Sequence, residues 1–171
     1  MGREVRRVPA DWQHPKNEDG NYIPLHGRSY SNEVAEWDES RDQWEKGFRR
    51  DYVTNGWKPK GGDDLGSYED WDGPRPVEAN YMPDWPDDQR THLQMYEDTS
   101  EGTPISPVMA TPEELARWLT DNNASAFASM TATYDQWLAT IKRGFACSAV
   151  FTGGHMESGV AALAKSDENH S

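Results

Sequence analysis

Cysteine is nearly absent: a single one, Cys147, stands among 171 residues. One thiol cannot build an intramolecular disulfide framework, and it fits a reducing compartment. Long hydrophobic runs are missing too. No stretch of about 18 apolar residues occurs, which argues against a membrane-spanning helix. The charged opening, Met1-Gly-Arg-Glu-Val-Arg-Arg, is followed by no apolar stretch and does not read as a secretory signal. Neither common type of phosphate-binding glycine loop is found, nor a nucleophile elbow. Basic residues are scarce, 17 against 30 acidic, for a net charge of -13. What the chain has in quantity is aromatic surface. Eight Trp, seven Tyr and four Phe can build a core despite a mean hydropathy of -0.99. Collagen, coiled coil and low-complexity disorder are excluded by the same composition.

The charge is unevenly spread. Residues 1–60 hold eleven acidic and eleven basic side chains, whereas residues 61–121 hold fifteen and three. The densest stretch, 63–101, contains Asp63, Asp64, Glu69, Asp70, Asp72, Asp84, Asp87 and Asp88, with Trp71 and Trp85 set among them. Phosphate backbones repel such a surface, so direct nucleic-acid binding is not expected. Carboxylates around aromatic anchors suit a patch that docks on a basic protein. Those ten residues are the candidate partner-binding set.

Candidates for chemistry are weaker. Asp87, Asp88 and His92 have spacings that one helical face brings together, but Pro83 and Pro86 precede them and no fourth ligand is evident. The run from Asp63 to Asp72 lacks the alternating register of a calcium loop. Cys147 sits in an apolar stretch, which raises a thiol's pKa and reads as structural. No metal, no cofactor and no catalytic residue is therefore assigned, and an enzyme is not expected.

Local patterns give a coarse order. Residues 1–30 read as an arm of turns and extended chain, with a short strand near Val5 and Val8. Val34, Trp37, Trp44 and Phe48 predict a helix over 32–48, capped by Ser31 or Asn32. Ten glycines and prolines from Gly56 to Pro86 predict an irregular, aromatic loop over 51–90. Short strands are expected at 92–96 and 105–109, forming a hairpin. Thr111-Pro-Glu-Glu is a helix start, with Leu115, Trp118 and Leu119 as its buried stripe. A further helix spans 132–143 and stops at Gly144. A strand over 146–152 and a short helix over 158–165 follow. The fold class is α+β: a small C-terminal sheet with two to three helices, plus an irregular, aromatic N-terminal half carrying one amphipathic helix. The expected division is 1–90 packed on a core of 91–165, with a polar tail at 166–171.

Three segments resemble a family of uncharacterised tailed-bacteriophage and prophage proteins. They are Gly2-Arg-Glu-Val-Arg-Arg-Val-Pro9 with Trp12-Gln-His-Pro15; Thr99-Ser-Glu-Gly-Thr-Pro-Ile-Ser-Pro-Val108 running into Pro112-Glu-Glu-Leu-Ala-Arg-Trp-Leu119; and Gly153-Gly-His-Met-Glu-Ser-Gly-Val160. The resemblance implies a phage origin and expression in the cytoplasm of a bacterial host. It carries no activity and no catalytic residues. Small size, acidity and absent catalytic motifs then favour a stoichiometric inhibitor, anti-CRISPR-like, that mimics DNA and blocks a host nucleic-acid-handling defence complex. The alternative is a structural or assembly protein of the virion. The expected partner is a host protein with a basic surface, with no membrane involved.

Overall fold

Alternation along residues 3–8 sets the architecture. In β1 (Arg3–Val8), Val5 projects to one side while Glu4, Arg6 and Val8 project to the other. β4 (His92–Glu97) pairs antiparallel with β1, from Arg3↔Glu97 to Val8↔His92. Residues directly opposite share a face, so Val5 meets Met95 on one side, while Arg6 meets Gln94 and Glu4 meets Tyr96 on the other. β5 (Thr103–Pro104) extends the sheet beyond β4, and β6 (Phe145–Ala146) pairs with β1, giving the order β5-β4-β1-β6. The sheet therefore has one apolar face and one polar, aromatic face.

The protein, here a computed structural model, is described over residues 2–97, 102–146, 149–152 and 155–168. Cys147, the glycines 153–154 and the end of the acidic stretch, Asp98 and Glu101, lie outside the described residues. The fold is α+β. The chain divides into two compact units: residues 1–25 with 85–171, and residues 26–84. This division differs from the one expected at residue 90. The segment 3–8 is not an arm on the core but an inner strand of the core sheet, because Val5 meets Met95 across the ladder and packs with Leu93 against the buried core.

In the first unit, α3 (Pro112–Asp121) and α4 (Tyr134–Arg143) cover the apolar face. Leu115, Leu119, Trp137 and Met95 are fully buried there, and Val5 and Leu93 pack against them. Thr111 caps α3 by accepting the Glu114 N–H at 3.1 Å, and Glu114 in turn accepts the Ala110 N–H. Thr133 and Gln136 form a reciprocal cap on α4, which ends where Gly144 turns left-handed at φ 97°. A two-stranded ribbon, β7 (Ala149–Thr152) with β8 (His155–Ser158), leads into α5 (Gly159–Glu168). No helix among the described residues is long and apolar enough to cross a membrane.

The second unit is built on α1 (Tyr30–Glu45). Its cap is Ser29, whose side chain accepts the Asn32 N–H, rather than Ser31 or Asn32. The helix stops three residues before Phe48, because Gly47 adopts φ 91° and turns the chain. Phe48 instead opens a hairpin of β2 (Phe48–Asp51) and β3 (Gly56–Pro59), where an irregular loop was expected. Asn55, at φ 56°, closes its turn. A short helix, α2 (Tyr68–Asp72), packs Trp71 and Tyr68 against Trp44 at ring separations of 5.3 and 5.9 Å. Trp44 is 4% exposed and donates its indole N–H to the Gly66 carbonyl, so an aromatic stack serves as this unit's core.

Candidate functional site

The acidic residues singled out from the sequence fall in two places. Asp63, Asp64, Glu69, Asp70, Trp71, Asp72 and Asp84 belong to the unit 26–84, and Trp85, Asp87 and Asp88 to the other. They are not one loop. Asp64 departs furthest from expectation. It is buried, accepting the Gly61 N–H at 2.6 Å and forming an ion pair with the Arg49 guanidinium at 3.0 Å, and so holds the hairpin to the loop after it. Trp85 is no exposed anchor either, since its ring lies edge-on to Trp12 at 4.7 Å.

Several of the others have internal roles while staying exposed. Asp70 accepts the backbone and hydroxyl hydrogens of Ser67 at the start of α2, which hold its carboxyl below the usual range. Asp72 accepts the Tyr68 hydroxyl at 3.0 Å, and burial pushes that phenol up to about 12. Asp84 accepts the Ser31 N–H and the hydroxyls of Ser29 and Ser31, tying the end of this unit to the start of α1. Asp87 pairs with Arg90. Asp63, Glu69 and Asp88 are exposed. Trp71 is 46% exposed although its other face stacks on Trp44. In the same unit, α1 carries exposed carboxylates at Glu36, Glu39, Asp42 and Glu45, which lie outside the set drawn from the sequence. Their spacing of three winds an acidic stripe along the helix. No group of three or more His, Cys, Asp or Glu is assembled as a metal site among the described residues.

A second site lies in the other unit, and nothing in the local sequence pattern marks it. The polar face of the sheet is covered by the loop that follows β1, leaving an open cleft of about 950 Å3. Its walls include Trp12, His14, Lys16, Tyr22, Gln94 and Trp118. The floor is a connected set of hydrogen bonds. Gln94 donates to the Ser106 carbonyl at 2.8 Å, which turns its Oε1 toward the Tyr96 hydroxyl at 2.9 Å. The indole N–H of Trp12 donates to that same hydroxyl at 3.1 Å. His14 is buried, with Nε2 2.6 Å from the Ile23 carbonyl and Nδ1 3.1 Å from Tyr96 Oη. A carbonyl only accepts, so Nε2 carries a proton. Burial and the Arg6 guanidinium lower the pKa of His14. Arg6 itself lies over the Tyr96 ring at 4.3 Å and donates to the Leu25 carbonyl and to Glu4. Burial pushes the Tyr96 phenol up to about 12.

Trp12 to Pro15 forms one wall of the cleft, and Pro104 to Val108 with Trp118 forms another. The chain matches no protein-family model, no curated protein and no solved structure.

Proposed function

We propose that this chain is an acidic, phage-encoded binding protein that acts in the host cytoplasm. It docks on the basic surface of a nucleic-acid-handling defence complex and blocks it. The observation that carries this reading is the exposed face of Trp71, in a unit that also exposes Asp63, Glu69, Asp70 and Asp72 and the carboxylates along α1. A half-exposed indole supplies the desolvated anchor that charge alone lacks, and the carboxylates supply steering and selectivity. Attraction of this kind weakens as salt screens it.

The test is capture of partners from host lysate on the tagged protein at low and high salt. The reading expects a defence complex at low salt that is lost at high salt. It also expects loss of that complex when Glu36, Glu39 and Glu69 become Gln and Asp63 becomes Asn. These four have no capping role, so the fold should survive the change. Unaltered capture by that variant overturns the electrostatic mechanism.

A virion assembly role is the second reading. One observation favours it. The hairpin turn holds Tyr52 and Val53 at 83% and 92% exposure, fixed by bonds from Val53 N–H and the Thr54 hydroxyl to Asp51. An ordered apolar tip of that kind is suited to burial in a neighbouring subunit. Recovery of virion proteins alone would move the assignment there.

A further inference from the structure

We infer that the cleft between Trp12 and Trp118 is a binding site for a mononucleotide, its base held against the aromatic wall and its phosphate on Lys16. The inference concerns the unit formed by residues 1–25 and 85–171 and does not depend on the acidic surface of the other. Four observations carry it.

First, the aromatic wall is held in place before any ligand arrives. Trp12 is fixed by its bond to Tyr96 and by edge contacts with Trp85 at 4.7 Å and His14 at 5.9 Å. An indole locked in this way loses little freedom when a planar ring stacks on it, and stacking of a base on an aromatic side chain is sequence-tolerant.

Second, the charge of the cleft is opposite to that of the chain. No carboxylate lines it, although the sequence has 30 acidic residues. Lys16 lines it, with its Nζ 4.7 Å from the centroid of the Tyr22 ring and no carboxylate partner among the described residues. An ammonium beside aromatic rings, with no internal counter-ion, suits a ligand that is both planar and anionic.

Third, the floor retains unused hydrogen-bonding capacity. Gln94 is 5% exposed and commits one amide N–H to Ser106 and its carbonyl oxygen to Tyr96. Its second N–H has no partner among the described residues. A buried amide with a donor to spare is the kind of group that reads a base edge.

Fourth, the size is right. A volume of about 950 Å3 is at the upper end of the range for small-ligand sites. Sheet extension by a peptide is disfavoured at this edge, because Pro104 and Pro107 have no N–H to offer.

Calorimetric titration of the full chain with AMP, GMP, UMP and adenosine tests the proposal. Saturable binding of at least one mononucleotide is expected, several-fold tighter than adenosine at low salt. Lys16→Gln should remove that difference while leaving adenosine unchanged. Trp118→Ala should weaken nucleotide and nucleoside alike by about tenfold. Lys16 is exposed, so its variant tests the site even if Trp118→Ala perturbs the fold, which circular dichroism would reveal. No binding by any nucleotide at millimolar concentration overturns the proposal. Equal affinity for AMP and adenosine overturns the role of Lys16. Binding unaffected by both substitutions places the ligand elsewhere. Saturable binding of a proline-rich peptide, with none by nucleotides, gives the groove to a polypeptide and also overturns it.

Discussion

His14 and Tyr96 share a hydrogen bond that the rest of their network cannot fully supply. Nδ1 of His14 and Oε1 of Gln94 lie 3.1 and 2.9 Å from the Tyr96 hydroxyl, which has a single proton to donate. An imidazolium would satisfy both, by making Nδ1 a donor. Burial and Arg6 oppose that charge and lower the His14 pKa. The ionisable groups gathered about the pair are Arg6 and Glu4 of β1, Tyr22 of the covering loop, and Tyr96 itself. Because the folded pKa lies below the unfolded value of about 6.5, the unfolded chain binds the proton more readily. Stability is therefore present above pH 6.5 and declines as pH falls toward the folded pKa. Melting temperatures between pH 7.5 and 5 should fall more for the wild type than for His14→Gln. Parallel profiles would show that His14 is not the linked group.

Gly102 is buried at φ 53°, and its carbonyl accepts the Leu25 N–H at 3.2 Å. A Cβ at this position would collide with the Leu25 carbonyl, the same oxygen that receives Arg6. Strain of this kind costs about 1–3 kcal/mol before the collision is counted. Urea unfolding of Gly102→Ala should show at least that loss; a stability equal to wild type would mean that the loop around Leu25 yields freely.

Adjacent residues on α3 should behave differently. Leu119 is fully buried between the sheet and α4, so Leu119→Ala should cost about 2–5 kcal/mol. Trp118 is half-buried at the cleft, and Trp118→Ala should cost less despite removing more atoms. Paired denaturant titrations decide the order, and the reverse order would place Trp118 in the core rather than at a site.

Asp63 and Asp64 are neighbours with opposite duties. Asp64→Ala strands the Gly61 N–H and Arg49, and should lower stability by about 1–3 kcal/mol. Asp63→Ala, at an exposed position, should stay within about 0.5 kcal/mol of wild type. Hydrogen exchange across residues 26–84 resolves the two, and equal protection in both variants would remove Asp64 from any structural role.

Signals confined to one turn were readable in the sequence. Thr111 with Pro112 marked the start of α3, and Gly144 marked the end of α4, because caps are local chemistry. The hairpin β2–β3 was missed for a local reason. Phe48 continues the helical stripe of Trp37 and Trp44, whereas Gly47, at φ 91°, breaks the helix first. Asn55-Gly56 was the available turn signal. The cleft had no comparable signal. His14 and Tyr96 are 82 residues apart, and their meeting depends on the register of β1 against β4. The acidic set was legible as charge but not as placement, since whether a carboxylate is free or committed, as Asp64 is to Arg49, depends on contacts outside its own turn.

The inner position of β1 also orders events in time. Its partners lie at residues 92–97 and 145–146, so during synthesis Arg3 to Val8 stay unpaired until β4 has followed. Residues 26–84 form a contiguous unit that is complete before either partner strand has been made. Long-range strand closure is slow relative to local contacts. The aromatic stack about Trp44 is thus free to assemble ahead of the four-stranded sheet and its cleft.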